Sequence, residues 1–511
     1  MQAATLVTAI VLVVKGLGFV EKVLLAYFFG TGIEVDAYLV AYTLPFSAFV
    51  VLREVVKPAF LPAFLRTRRG SEADGRRLLG VVGTVLILLL AIATVAGMIL
   101  ADPLISMAAP GFAGEQRALA VRLTRIVVPA FLFLGLSTLT TAVLHADKRF
   151  ALPAVGEAVF RAAPVALLLA AAGSIYAVAI GVLIGAAGKL GLEAGGQWRT
   201  LRRLTPSLDV RAPVVRQVGR LAAPLAGALF LSLFLAPLVE NAFASRIGVG
   251  GVSALAYARK IVETLTTLLP YTLGLVLLPF SAEMAAGRDT AALARTLSGA
   301  VRALCLLFVP VAVGLIMLRV PFVRLLFERG AFGAASTALT AEPLLFYGLA
   351  LLPFALEVVV IQFFFARQDT LTPVLADVAA FALNVALLLL LTPVLGLGGI
   401  ALAAAVAKAA KVLALLVLFA RRVPAFRLAP LGVFGARLLM AALAAAAVLW
   451  AAEPVLVRLG REGGLVRLSG QLVAGAVLGG GTFYLVAYLA GIDDLRQAGR
   501  LARAWVRDRL G

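Results

Sequence analysis

The stretch KGLGFVEKVLLAYFFGTGIEVDAYLVAYTLP, residues 15–45, decides the fold. It is apolar enough to enter a bilayer, yet it carries Lys15, Glu21, Lys22 and Asp36 where a lipid-facing helix carries no charge. A charge at bilayer depth costs about 2.5 to 3.5 kcal/mol even on the lenient insertion scale, so these side chains must face something polar. On a helix, Lys15, Gly18 and Lys22 fall at i, i+3 and i+7, which stacks two cations on one face with a glycine between them. The second apolar stretch, 35–65, repeats the anomaly with Asp36, Arg53, Glu54 and Lys57. The two helices read as one wall of a polar cavity that meets an anion. The alternative is a set of internal ion pairs, with Glu21 and Asp36 neutralising the lysines, that only holds a bundle together.

Outside this stretch the chain stays apolar. Of its 511 residues 62% are hydrophobic and the mean hydropathy is +1.05, far beyond a soluble domain. Apolar runs of about 20 residues, each long enough to cross about 30 Å of hydrocarbon as a helix, recur along the whole length. The expected fold is an all-α polytopic membrane protein of about 14 transmembrane helices. The first run is too long for a signal-peptide core and lacks a small-residue cleavage site, so it reads as helix 1. One cysteine, Cys305, excludes an intramolecular disulfide, and with a single histidine, His145, it leaves no zinc or haem constellation. No P-loop or dinucleotide glycine pattern is present, so no cofactor is expected and ATP-driven transport by this chain alone is not. The net charge of +20 reads as arginines that set topology rather than as a nucleic-acid surface.

Arginines concentrate in alternate breaks between spans, as in RTRRGSEADGRR at 66–77, WRTLRRLTPSLDVR at 198–211 and RRVPAFR at 421–427. With an even number of spans, this puts both termini in the cytoplasm. An internal repeat is visible at an offset of 220: LHADKRFALPAV (144–155) lies over FFARQDTLTPVL (364–375), and Phe112 lies over Phe332. The expected domains are therefore a six-helix lobe over 1–218, a second over 219–428, and a terminal helix pair with a basic tail over 429–511. Repeat-built transporters bind substrate between lobes and rock one against the other. The second lobe opens as the first does, with Glu240 and Asn241 and then Arg259, Lys260 and Glu263 inside apolar spans. Arg259 and Glu263 are i, i+4 and pair, leaving Lys260 as a substrate cation. Asp377 and Asn384, i, i+7, form with Glu240 a candidate site for a monovalent coupling cation. Lys189, Lys408 and Lys411 are expected to snorkel or to end helices.

At these residues the chain resembles the MurJ (MviN) family of lipid II flippases, within the multidrug/oligosaccharidyl-lipid/polysaccharide exporter superfamily. The resemblance is carried by residues 15–45, REVVKPAFLPAFL at 53–65, APGF at 109–112, LAYARKIVETL at 255–265, LLFERGAF at 325–332 and FFARQDTLTPV at 364–374. It implies a flippase that moves an undecaprenyl-pyrophosphate-linked peptidoglycan precursor to the outer leaflet by alternating access, with no covalent catalysis. It also implies a cationic cavity from helices 1, 2, 7 and 8 and a groove toward helices 13 and 14 for the lipid tail. By position, Asp36, Glu54 and Glu263 match the family's acids, while Lys15 and Lys260 stand where arginine is usual. Lysine keeps the charge but loses the bidentate fork that suits phosphate. Glu21 and Lys22 are swapped relative to the family pattern, Arg259 replaces an acid, and the family's helix-2 arginines fall at Phe49 and Val50. Arg53 and Lys57 lie one and two turns along the same face as Phe49.

The implied partners are the lipid-linked glycan, membrane lipids and enzymes of wall synthesis; the implied place is a bacterial inner membrane. The membrane potential, worth about 2.3 kcal/mol per charge per 100 mV, is an expected source of drive. Two alternatives stay open: an exporter of another polyprenyl-linked saccharide, and a non-transporting scaffold or enzyme of wall synthesis.

Overall fold

The computed structural model describes residues 2–209, 212–286, 289–460, 464–492 and 494–495. The basic tail expected beyond them, from Arg496, lies outside the described residues. The chain divides into two compact units, Met1–Ala256 with Arg329–Gly333, and Tyr257–Glu328 with Ala334–Gly511. Among the described residues all regular structure is helical, as a chain in hydrocarbon requires if it is to satisfy its own backbone.

The first unit holds α1 (Gln2–Phe29), α2 (Ile33–Gly70), α3 (Glu72–Ile99), the short α4 (Ala101–Ala108), α5 (Gly114–Val127) and α6 (Pro129–Ala146). It continues with α7 (Ala151–Ala170), α8 (Ile175–Gly196), the one-turn α9 (Trp198–Leu201), α10 (Pro213–Leu229) and α11 (Ala236–Ile247). A π-helical segment, Phe230–Leu235, joins the last two. The start of α12 (Gly251–Ala286) belongs to this unit and the rest of it to the second. The second unit adds α13 (Thr290–Met317), α14 (Arg319–Phe327), α15 (Ala334–Ala366), α16 (Leu371–Arg422), α17 (Leu428–Gly460) and α18 (Leu465–Leu489).

Eleven described helices are long and apolar enough to cross a membrane, α5 and α6 counting together as one. One of the eleven, α16, is two spans, because Gly396 breaks it with φ 54° and ψ −130°. With α1 and α12, of 28 and 36 residues, the fourteen expected spans are accounted for. This is a multi-pass membrane protein.

The repeat holds in atomic detail. The span Gly114–Ala146 and α15, Ala334–Ala366, begin and end 220 positions apart, although the first is broken at Val128 and the second is continuous. In the turn after each, Lys148 and Gln368 take φ of 59° and 58°. Their neighbours close the same bond, Arg149 N–H to Leu144 C=O at 2.8 Å and Asp369 N–H to Phe364 C=O at 3.0 Å. A non-glycine residue in the left-handed region is uncommon, so its recurrence at one offset repeats in the backbone what the sequence repeat shows.

In the first unit, α2 divides by face. Val55, Ala59, Phe60, Ala63 and Phe64 are buried, the phenylalanines in a core with Leu78, Leu79 and Leu86 of α3 and Leu139 and Val143 of α6. Arg53, Glu54 and Lys57 are exposed. Small residues let α7 and α8 touch backbone to backbone: a Cβ on Gly181 would stand 2.5 Å from Pro164 Cα, and one on Gly185 2.8 Å from the Phe160 carbonyl oxygen. In the second unit, Phe434, Leu438 and Ala441 of α17 and Phe483 of α18 pack on Cys305, Leu306 and Val309 of α13. The terminal helix pair thus braces the unit, while Leu439, Leu443, Trp450, Val477 and Leu485 are left exposed, as lipid-facing positions are.

Candidate functional site

The charges that interrupt α1 and α2 lie in the first unit as two patches. On α1, Glu21 is buried and receives a hydrogen bond from the Tyr38 hydroxyl at 3.4 Å, with Lys22 Nζ 3.8 Å away. Lys15, two turns back, is exposed. On α2, Arg53 Nη2 lies 3.0 Å from Glu54 Oε1, both side chains about half exposed, and Lys57 follows one turn later on the same open face. Exposed ion pairs are worth at most about 1 kcal/mol. An oxyanion with several donors competes well against them, because each charge-assisted bond is about twice as strong as a neutral one.

Asp36 stands apart from both patches. It is fully buried, and its two oxygens accept the backbone N–H groups of Gly250 at 2.7 Å and Ser253 at 2.8 Å. Those are orphan donors at the head of α12, so the carboxylate caps that helix where its dipole favours negative charge.

A polar network that sequence reasoning missed joins α6, α7 and α8 to Tyr42 of α2. Lys189 of α8 bridges Glu157 of α7 and Glu193 of its own helix, each at 3.1 Å. Glu193 is completed by the hydroxyls of Thr140 and Thr141, at 2.5 and 3.1 Å. Arg161, one turn from Glu157, approaches it at 3.8 Å and donates to the Tyr42 hydroxyl at 3.4 Å. The signal was available as two i, i+4 charge pairs, Glu157–Arg161 and Lys189–Glu193, inside apolar runs.

In the second unit, Arg259 donates from Nη2 to the Tyr347 hydroxyl at 2.9 Å, Lys260 is half-buried and Glu263 is exposed. Lys411 ion-pairs with both Glu357 and Asp377, and Lys408 reaches the other oxygen of Glu357 at 2.7 Å. The snorkelling expected of Lys189 and Lys411 is therefore corrected: both are buried, because carboxylates on neighbouring helices neutralise them in place. Of the three residues read as a cation site, Glu240 belongs to the first unit and Asp377 and Asn384 to the second. Asp377 is held by Lys411; Asn384 is buried, its Oδ1 without a hydrogen-bond partner among the described residues. No group of three or more His, Cys, Asp or Glu close enough to hold a metal occurs among the described residues.

A repeated helical membrane fold, with ionisable side chains set into the opening helices of each repeat, defines a membrane transporter. The family model for lipid II flippase MurJ matches residues 25–460, and the chain belongs to that family. It is 28% identical over 417 residues to the lipid II flippase MurJ of Burkholderia cenocepacia, covering 78% of this chain and 80% of that protein. It is 31% identical over 408 residues to the probable lipid II flippase MurJ of Rhizobium meliloti, covering 76% and 75%. A solved structure of lipid II flippase MurJ in an inward closed conformation shares the fold, with a TM-score of 0.77 at 21% identity over 99% of this chain and 100% of that one.

Proposed function

We propose that this chain moves lipid II from the inner to the outer leaflet of a bacterial inner membrane. It is a transporter and not an enzyme. The observation that carries the reading is the family match, which spans the body of the chain from residue 25 to 460. The charged helices support it. The substrate joins a doubly charged pyrophosphate and a polar glycan to a long polyprenyl tail. In the first unit the α1 and α2 cations Lys15, Lys22, Arg53 and Lys57 suit the head, and the acids Glu21 and Glu54 suit sugar and peptide hydrogen bonds; in the second unit Arg259, Lys260 and Glu263 carry the same kinds of group. The tail stays in lipid along the apolar outer surfaces of α17 and α18. Both termini are cytoplasmic on this reading, since the arginine-rich breaks stay inside. The drive is the membrane potential acting on the charged substrate and cavity, with enzymes of wall synthesis supplying and consuming the cargo.

The test is reconstitution. Proteoliposomes carrying head-labelled fluorescent lipid II are exposed to a membrane-impermeant quencher. The chain should raise the rate at which inner-leaflet label becomes quenchable, and Lys15→Ala with Lys22→Ala should abolish the increase. Acceleration of another polyprenyl-pyrophosphate saccharide but not of lipid II would move the assignment to that saccharide. That outcome is the one the swapped Glu21–Lys22 pair and Phe49 and Val50 would explain.

A further inference from the structure

Resting on the flippase reading, we infer that Arg161 is a further head-group-binding residue, contributed by α7, a helix that carries none of the substrate cations named above. Its guanidinium lies beside two aromatic rings, with its carbon 5.3 Å from the centre of Phe46 on α2 and 5.2 Å from that of Phe160. Contacts of this kind suit a guanidinium while leaving its in-plane N–H groups free to hydrogen-bond. One edge is weakly used: Nη1 donates to the Tyr42 hydroxyl at 3.4 Å. Another, Nε, stands 3.8 Å from Glu157, beyond hydrogen-bond range. Glu157 is engaged elsewhere, since its second oxygen meets Lys189 at 3.1 Å. Nη2 has no hydrogen-bond partner among the described residues, and the side chain keeps 23% of its surface accessible. The result is a partly accessible guanidinium whose Nη2 donors are not engaged by the described residues.

Its position ties it to the substrate wall. Tyr42 lies one turn from Tyr38 on α2 with ring centroids 5.9 Å apart, and Tyr38 holds Glu21, the neighbour of Lys22. Phe46 stacks on Tyr42 at 4.8 Å and is followed by Phe49, over which Arg53 lies at 5.8 Å. A single aromatic ladder along α2 thus links Glu21, Arg161 and Arg53. Arginine is the residue whose planar fork matches a phosphate, and Arg161 supplies that fork where α1 offers only lysines. The ligand class is an oxyanion of the lipid-linked head, with pyrophosphate the source.

The test uses the purified full chain in nanodiscs and two probes: lipid II, and an analogue whose pyrophosphate is replaced by an uncharged linker. Arg161→Gln should weaken lipid II binding by about tenfold, the scale of one charge-assisted hydrogen bond, and leave the analogue's affinity unchanged. Arg161→Lys, which keeps the charge and loses the fork, should fall between and carries the test if the glutamine variant does not fold. Equal loss for both probes, or a loss that follows a drop in Tm, would show a structural role and overturn the inference. So would unchanged lipid II affinity in a folded variant. Failure of the unaltered chain to bind lipid II would instead sink the flippase reading, and this inference with it.

Discussion

The backbone N–H of Ser253 donates to Oδ1 of Asp36 at 2.8 Å, across 217 positions of sequence. With the Gly250 N–H on the other oxygen, the start of α2 is fastened to the start of α12 through one buried carboxylate. Hydrogen bonds to a charged group contribute about 1.5 to 3 kcal/mol each. Asp36→Asn turns one acceptor into a donor facing an N–H. It should cost about 2 to 3 kcal/mol, read as a lower Tm in detergent, and the Gly250 and Ser253 amides should exchange hydrogen faster. Unchanged protection of those amides would contradict the capping role.

Lys411 and its two carboxylates give the second prediction. Removing one member of a buried ion pair costs about 3 to 5 kcal/mol, because the partner is left charged and desolvated. Lys411→Met should destabilise the protein on that scale. Adding Asp377→Asn should restore much of the loss, since Glu357 keeps Lys408 at 2.7 Å. Thermal unfolding of the single and double variants checks it, and additive losses would show that the two residues are not coupled.

Much of the fold was legible because the bilayer enforces it. The spans follow from apolar length, and the repeat from Pro153 and Pro373, Phe112 and Phe332. The unusual charges on α1 and α2 were legible for the same reason, as exceptions to that length rule. The partners of those charges were not. Asp36 looked like a cavity residue because its cap lies at Gly250 and Ser253, a pairing that only tertiary structure creates. Lys189 and Lys411 looked like snorkelling lysines because the acids that neutralise them, Glu157 and Asp377, come from other spans. Glu157 and Asp377 sit at the repeat offset of 220. Lys189 and Lys411 sit at 222, so one buried lysine–carboxylate pair recurs in both repeats. The two-residue drift hid it from a fixed-offset comparison.

Gly111 gives a steric prediction. Its N–H donates to Ser245 Oγ at 3.1 Å, and a Cβ there would stand 2.1 Å from the Ser245 carbonyl oxygen. Gly111→Ala must push the 109–112 turn off α11 and should lower both Tm and transport. Gly432→Ala, inside α17 with nothing within 4 Å of the added carbon, should be tolerated and stabilise by about 0.5 to 1 kcal/mol. Equal behaviour of the two variants would contradict the close approach.

Asp369, in the turn between α15 and α16, gives the pH dependence. Partial burial pushes its carboxyl up, but the Thr372 N–H at 3.0 Å and the Arg422 guanidinium outweigh that and hold it below its usual value. A depressed folded-state pKa contributes stability that is present above the unfolded value, about 3.9, and lost as pH falls through the folded one. The acid limb of a Tm–pH profile should therefore be shallower in Asp369→Asn than in the unaltered protein. Parallel limbs would show that this turn does not contribute.

The most direct measurement is rescue of bacteria depleted of their own lipid II flippase, with membrane levels of each variant followed by blot. The unaltered chain should restore growth and shape, and Lys15→Ala with Lys22→Ala should not, at equal membrane abundance. Failure of the unaltered chain to rescue while present in the membrane at normal abundance would contradict lipid II as its cargo.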